Sequence, residues 1–251
     1  MNMTLAEWTK YRDILKKIDD KAADEFRDAV FNVNGRFKGV GLANIPRQEL
    51  IDYGYALITK YGEASAAWAC EMYDAIAEAS NVIVPAAVPA EIASKNEVGK
   101  ALNGVLKTSV NEDYVSSVVS RFVKQASQDT TLQNALRDGA QFAWIPAGDT
   151  CVFCLTLASR GWQYASKAAI KGGHAEHIHA NCDCAYAIRF DDKTNVAGYN
   201  PEKYKEMYDN AEGDNSKEKI NSMRRKYYDE NKDKINAQKR EAYALREEAD
   251  E

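Results

Sequence analysis

Cysteine and histidine are concentrated in one short stretch of this chain. Of the five cysteines and three histidines, four cysteines and all three histidines lie between positions 151 and 184. Only Cys70 lies outside, in an alanine-rich helical pattern where we expect it to be a core residue. A stretch of this size buries little apolar surface, so we expect a cross-link to hold it together.

The spacing of these residues is typical of a zinc site. The chain has a C-x2-C pair followed, after a loop, by H-x2-C-x-C. Two thiolates three positions apart can bind one ion, and a second pair completes a tetrahedron. We predict a structural Zn²⁺ with Cys151, Cys154, Cys182 and either Cys184 or His179 as ligands, the remaining residue supporting one of them. Unbound reduced cysteines, a disulfide pair and a catalytic metal stay open as alternatives.

Helical patterns begin at the N-terminus. Thr4 and Glu7 form a capping box, after which apolar residues recur every three or four positions to Val30. Pro46 suits the first turn of a second helix, and Gly62 is predicted to end that helix.

Further helical segments complete a predicted helical body at residues 1–145. A third, alanine-rich helix is expected over 64–79. Two prolines make the segment 82–89 a connector or a short extended segment. Three more amphipathic segments are predicted around 102–106, 114–123 and 132–143.

The composition and hydrophobic pattern of the sequence change after residue 145. Residues 146–200 contain short apolar runs and the Cys/His cluster, and Ala185–Phe190 is predicted to be a strand. Residues 201–251 are strongly charged and predict a long solvated helix. The expected fold class is therefore mainly α: a helical body, a small α+β Cys/His module and a charged helical tail.

The tail carries a cluster of basic residues that suits contact with nucleic-acid phosphates. The alternative is a solvated helix stabilised by pairs of opposite charge. The candidate phosphate-binding residues are Arg224, Arg225, Lys226, Lys232, Lys239 and Arg240.

Charge and hydropathy limit the partners of the whole chain. Its 33 Lys+Arg and 38 Asp+Glu give a net charge of −5, so any contact with nucleic acid must be local. The sequence has no apolar run of membrane-spanning length, and its first residues lack the plan of a signal peptide. We therefore expect a soluble protein, made in the cytoplasm, with no membrane partner.

Two enzyme hypotheses compete with a binding role. His174 and Glu176, together with a C-x2-C pair, share elements with the zinc deaminases, although the motif order is reversed. A metal-dependent nuclease using His174, His177 or His179 is the second hypothesis. Neither motif is complete, so we expect no enzymatic activity.

One extended pattern resembles a known family. The residues that carry it are Leu136–Ala140, Trp144, Cys151, Phe153, Cys154, Leu157–Gly161, Tyr164, Ser166, His179, Cys182 and Cys184. They look like the Cys/His core of phage minor head proteins, the MuF-like head-morphogenesis family, in its branch from phages of Gram-positive hosts. The segment 61–74 is similar to the helical N-terminal part of that family, and the resemblance covers about residues 1–212.

The resemblance implies a structural protein without enzymatic activity. Such a protein is present in few copies in the virion, binds near the portal of the procapsid, and is packaged or ejected with the genome. Its partners would be the portal protein and the major capsid or scaffolding protein, first in the host cytoplasm and then in the capsid. Two departures are Asn181, where some relatives carry a second His, and the charged extension beyond residue 213.

Overall fold

The computed structural model describes residues 3–32, 35–38, 45–107, 111–147, 151–168 and 184–249. In the last helix, side chains are described up to Asp233 and at 236, 237 and 240. The chain divides into two compact units. Unit 1 comprises Met1–Gly148 and Trp162–Tyr199, and unit 2 comprises Asp149–Gly161 and Asn200–Glu251.

The described part of unit 1 contains four helices and a small sheet. The helices are α1 (Leu5–Phe31), α2 (Arg47–Ala79), α3 (Lys95–Leu106) and α4 (Glu112–Asp138). The strands are β1 (Gln141–Ile145), β2 (Gln163–Tyr164) and β3 (Ala185–Arg189). Both neighbours of β1 are antiparallel to it, in the order β2-β1-β3. The register places Gln141 opposite Arg189 and Ile145 opposite Ala185.

The core of unit 1 lies between its four helices. Phe26 of α1, Ile58 of α2, Leu102 of α3 and Val119 of α4 are fully buried in one apolar cluster. The capping box predicted at the start of α1 is confirmed, since Thr4 Oγ1 accepts the Glu7 N–H and the Glu7 carboxylate accepts the Thr4 N–H. A mainly α fold with a small antiparallel sheet is thus confirmed.

The prediction that Gly62 ends a helix is wrong. α2 is one helix of 33 residues that continues through Gly62, so the two helices predicted over 46–61 and 64–79 are one. A Cβ on Gly62 would lie 3.1 Å from Ile92 Cδ1 and 3.5 Å from Ala126 Cβ. The glycine therefore allows close packing against α4 and the segment before α3, and this packing offsets its poor helix propensity.

A second correction concerns residues 114–145. The segments predicted at 114–123 and 132–143 form one helix, α4, which ends at Gly139 in the left-handed region (φ 67°). The predicted helical body therefore stops short of residue 145, and 141–145 is the central strand β1. All five β1 residues are buried. The strands β2 and β3 flank β1, and Gln128 of α4 accepts the Tyr186 N–H of β3. The strand predicted at 185–190 is confirmed as β3.

Polar side chains hold the connector 82–94, which contains neither helix nor strand, in place. Its two prolines predict this absence of a helix. Asn134 of α4 accepts the Val88 N–H at 3.0 Å and donates to the Val88 carbonyl at 2.8 Å. Thr130 Oγ1 accepts the Ala90 N–H at 3.0 Å. The Arg137 guanidinium donates to two further carbonyls of the connector. These bonds replace the strand neighbour that the connector lacks.

The described part of unit 2 contains three helices, α5 (Val152–Ala158), α6 (Pro201–Asp209) and α7 (Ser216–Ala249). Pro201 is the first residue of α6, and Asn200 caps it. The Lys219 ammonium of α7 donates to the carbonyls of Tyr208 and Asp209 at the end of α6. The long polar helix predicted for the tail is confirmed over Ser216–Ala249, where the described residues 224–230 are exposed. It does not extend over the whole of 201–251, because residues 210–215 separate α6 from α7.

Candidate functional site

The C-x2-C pair lies in the first turn of α5. Cys151 is the N-cap residue of this helix, and its Sγ accepts the Cys154 N–H at 3.5 Å. Cys151 is exposed, whereas Cys154 is buried. An N–H bond to sulfur stabilises the thiolate, which is the form that binds metal. The structure thus places the two cysteines in one helical turn, and their role as metal ligands stays a prediction.

Apolar and turn residues set the position of α5. Val152 and Leu157 are buried, so the helix cannot rotate without exposing them. Gly161, three residues beyond the helix, is in the left-handed region (φ 64°), and its α-carbon faces Pro201 at the start of α6. The glycine therefore allows the turn that follows α5.

Cys184 lies in unit 1, directly before β3. Its side chain is buried, and its Sγ accepts the Ala147 N–H at 3.4 Å. Ala147 follows β1, so this bond joins the ends of two paired strands. Cys184 therefore receives the same kind of N–H bond to sulfur as Cys151.

The remaining predicted ligands, His179 and Cys182, lie outside the described residues, as do His174, Glu176 and His177 of the enzyme hypotheses. Within the described ranges, no three His, Cys, Asp or Glu side chains are grouped as a metal site. No disulfide joins any two of the four cysteines that the structure describes. The zinc site itself stays a prediction.

A polar network that the sequence did not reveal holds β3 in place. Arg189 Nε donates to Gln141 Oε1 at 2.6 Å, and Gln141 Nε2 donates to Asp192 Oδ1 at 2.8 Å. The Arg189 guanidinium also lies over the Trp162 ring, 4.7 Å from its centroid. Trp162 Nε1 in turn donates to Asn195 Oδ1. The sequence signal that could have indicated this network was the tryptophan directly after Gly161, beside the motif of the family resemblance.

The candidate phosphate-binding residues lie on α7. Among those with described side chains, Arg224, Arg225, Lys226, Lys232 and Arg240 are exposed. A helix turns about 100° per residue, so Arg224, Arg225, Lys232 and Lys239 occupy positions within an arc of about 100°. Lys217 falls in the same arc. We call these five positions the basic stripe; it extends about 33 Å along α7 at about 1.5 Å per residue.

The acidic residues of α7 lie away from the basic stripe. Glu218, Asp229, Glu230 and Asp233 lie outside the arc of the stripe by the same count, Glu218 by only about 20°. Lys226 and Arg240 also lie outside it. The helix therefore separates a cationic strip from a strip of mixed charge, a separation that the run of residues in the sequence does not display.

No described helix is both long enough and apolar enough to cross a membrane.

Comparison with known proteins places most of the chain in a family. A family model described as VG15 protein matches residues 2–211. Neither a curated protein nor a solved structure matches the chain. The family match ends between α6 and α7, so α7 lies beyond the matched region. Because the match covers most of the sequence, the chain belongs to the VG15 protein family, a family of phage and viral proteins.

Proposed function

We propose that this chain is a minor head protein of a phage, present in few copies, that binds the portal protein inside the procapsid. The observation that carries this proposal is the match to a phage family over residues 2–211. The MuF-like Cys/His pattern lies inside that range and ends with H-x2-C-x-C at Cys184. The family match and the resemblance thus rest on the same part of the chain.

The architecture of unit 1 supports a binding role. Its polar side chains hold backbone in place, as Asn134 does for Val88 and Gln128 for Tyr186. A rigid helical body of this kind presents a constant surface to a partner. The proposed partners are the portal protein and the major capsid or scaffolding protein. The protein would meet them in the host cytoplasm during assembly and stay in the virion.

We also propose that one zinc ion stabilises the cysteine module, with ligands drawn from Cys151, Cys154, His179, Cys182 and Cys184. The position of Cys151 and Cys154 in one helical turn supports this proposal, together with the N–H bonds that the sulfurs of Cys151 and Cys184 accept. The ion would supply binding free energy that a small module lacks. Its role would be structural, without a part in catalysis.

Quantification of purified particles tests the main proposal. The source phage is grown, and nuclease-treated particles are separated on a density gradient. Mass spectrometry then measures this chain against the portal protein and the major capsid protein. We expect it to co-sediment with particles in fewer copies than the capsid protein. Recovery only in the soluble lysate would contradict the proposal.

A second function, contact with packaged DNA, is favoured by the basic stripe on α7. Neutralised phosphates release counterions, so affinity for a short duplex should fall steeply with salt. A chain ending at Asn215 should lose this binding.

Arg224→Gln with Lys232→Gln should lower the salt slope by about two. Lys226→Gln with Arg240→Gln, which removes the same charge away from the stripe, is the matched control and should lower it less. Equal slopes in both double variants would contradict a role for the stripe.

The enzyme alternative has a separate test. A zinc-dependent nuclease or deaminase that used His174, Glu176 or His177 would lose turnover on substitution of these residues while its fold survived. For a minor head protein we expect no turnover of nucleic acid or nucleobases before or after substitution. Zinc-dependent turnover abolished by Glu176→Gln would replace our proposal.

A further inference from the structure

An apolar groove opens on unit 1 where α1, the second half of α2 and the residues around β3 meet. Its volume is about 260 Å³. The lining residues on which its chemistry depends are Lys10, Tyr11, Trp68, Met72, Ile188 and Val196. All of its lining residues belong to unit 1, and none belongs to the cysteine pair or to the basic stripe.

Two stacked aromatic rings form one wall of the groove. The centroids of Tyr11 and Trp68 are 6.3 Å apart, and their planes differ by 27°. Trp68 Nε1 donates to the Tyr11 carbonyl at 3.2 Å, so the indole N–H is already paired. Tyr11 is buried and supports the partly exposed Trp68, whose ring therefore offers apolar surface to whatever lies against it.

A second part of the lining is also apolar and is held by backbone bonds. Ile188 and Val196 are buried aliphatic residues. Val196 forms a parallel bridge with Met3, and the Ala197 N–H donates to the Met3 carbonyl at 3.1 Å. Two polar side chains of this part of the lining are already hydrogen-bonded: Thr194 Oγ1 donates to Asp191 Oδ2, and Asn195 Oδ1 accepts the Val196 N–H. The interior thus favours an apolar occupant.

The rim of the groove carries one cation without a described partner. The Glu7 carboxylate at the rim accepts two hydrogen bonds from Thr4, through the backbone N–H and the hydroxyl, both at 2.8 Å. Lys10, one helical turn further along, is exposed and forms no hydrogen bond or ion pair with any residue that the structure describes. Glu7 stays an anion at the same rim, because the bonds from Thr4 lower its pKa, so a carboxylate beside the apolar part of an occupant complements the rim where it lies against Lys10.

We propose that the groove binds one aromatic side chain of a partner protein, flanked in the partner sequence by an acidic residue that pairs with Lys10. The volume supports a single side chain: cavities of about 150 Å³ hold benzene, and pockets for whole small ligands start at about 300 Å³. Met72 adapts its shape to such an anchor, as methionines do at binding surfaces. This proposal does not depend on the head-protein function, because any partner with this motif would fit.

Capped peptides test the chemistry on the full chain. The probes are acetyl-Gly-Trp-Glu-Gly-amide and the same peptide with Gln in place of Glu, titrated to about 5 mM by ligand-observed NMR, since one anchor gives millimolar affinity. We expect the Glu peptide to bind about threefold more tightly. Lys10→Met should abolish that difference. Lys17→Met, on the same helix but outside the groove, should preserve it.

Filling the groove tests the location. Ala75 is an exposed lining residue of α2, and Ala75→Trp should weaken both peptides at least about tenfold. Ala67→Trp, at an exposed α2 position outside the groove, is the matched control and should bind normally. Circular dichroism of each variant checks the fold.

Three results would overturn the proposal. The first is the absence of saturable binding by either peptide, and the second is undiminished binding to a folded Ala75→Trp variant. The third is tighter binding of decanoate than of the Glu peptide, which would assign the groove to an acyl chain. Loss of peptide binding would leave the particle-quantification test unaffected, so the two proposals fail separately.

Discussion

The Lys124 Nζ lies 3.2 Å from the Asp19 Oδ2, and both side chains are almost completely buried, 8% and 2% exposed. This ion pair joins α4 to α1 inside unit 1. Burial raises the pKa of Asp19 to about 6, even though the Lys124 ammonium acts to lower it. The free-energy cost of removing the carboxylate from water therefore exceeds the stabilisation that its partner provides.

Removing one partner of this pair should destabilise the protein strongly. Lys124→Met leaves the Asp19 carboxylate buried without a cation, and we expect a loss of about 3–5 kcal/mol in the free energy of unfolding. The double variant Asp19→Val with Lys124→Met should recover most of it. Urea denaturation measures both. Lys16→Met, which breaks the exposed pair with Asp20, is the control and should cost less than about 1 kcal/mol. Equal losses in the single and double variants would contradict this account.

Asp129 should make stability depend on pH in the opposite sense from a paired surface carboxylate. Burial raises its pKa to about 6, and the Gln125 amide only partly opposes this. The folded protein thus binds this proton more readily than the unfolded chain. The resulting stability is present below about pH 4 and is lost as pH rises through about 6.

Substitution of Asp129 by Asn tests that sign. We expect Asp129→Asn to raise the free energy of unfolding by about 1–3 kcal/mol at pH 7, and this gain should vanish near pH 4. Asp52→Asn is a control of opposite sign, because a hydrogen bond from Lys95 lowers the pKa of Asp52, so its loss should destabilise at pH 7. Denaturation curves at pH 7 and pH 4 measure both free energies of unfolding. A gain in stability that persists at pH 4 would refute the assignment to Asp129.

Asn134 should contribute strongly to the stability of the connector 82–94. Asn134→Ala leaves both the N–H and the carbonyl of Val88 without their partner, and we expect a loss of about 2–4 kcal/mol. Hydrogen exchange at the Val88 amide should accelerate. Thr130→Ser keeps an oxygen acceptor for the Ala90 N–H and should change that amide little. Unchanged Val88 exchange in Asn134→Ala would show that other contacts hold the connector.

Two helical glycines should respond oppositely to the same substitution. A Cβ on Gly54 would meet Leu102 Cδ1 at 3.1 Å and Phe26 Cε2 at 3.2 Å, both in the packed core, so Gly54→Ala should destabilise by about 1 kcal/mol. Gly104 of α3 has open space around its α-carbon. Gly104→Ala should therefore stabilise by about 0.5–1 kcal/mol. Thermal unfolding of both variants is the measurement, and a shared sign would contradict the packing described for α2.

Loss of the cysteines should remove zinc. For Cys151→Ser with Cys182→Ser we expect the purified protein to lose bound zinc, measured by inductively coupled plasma mass spectrometry, and residues 146–200 to become sensitive to protease. Cys70→Ala, which changes a buried cysteine of α2 outside the module, should retain zinc. Unchanged zinc content and protease resistance in the double variant would eliminate the metal site.

Several elements could be predicted because their determinants are local. The Thr4 and Glu7 capping box, the connector with its two prolines and the strand after Cys184 each depend on residues within a few positions of one another. Hydrogen bonds at a helix start and the fixed φ of proline act at that range. The C-x2-C spacing likewise placed Cys151 and Cys154 in one turn of α5.

Local sequence by itself thus determined where α1 and α2 begin, the β3 strand and the position of two thiols on one turn. Only the tertiary structure decided that Gly62 continues α2, because Ile92 and Ala126 pack against it from distant parts of the chain. The same holds for the burial of Asp19 with Lys124 and for the groove beside Trp68. Packing and charge burial depend on residues far apart in sequence, so their free energies cannot be inferred from any local sequence pattern.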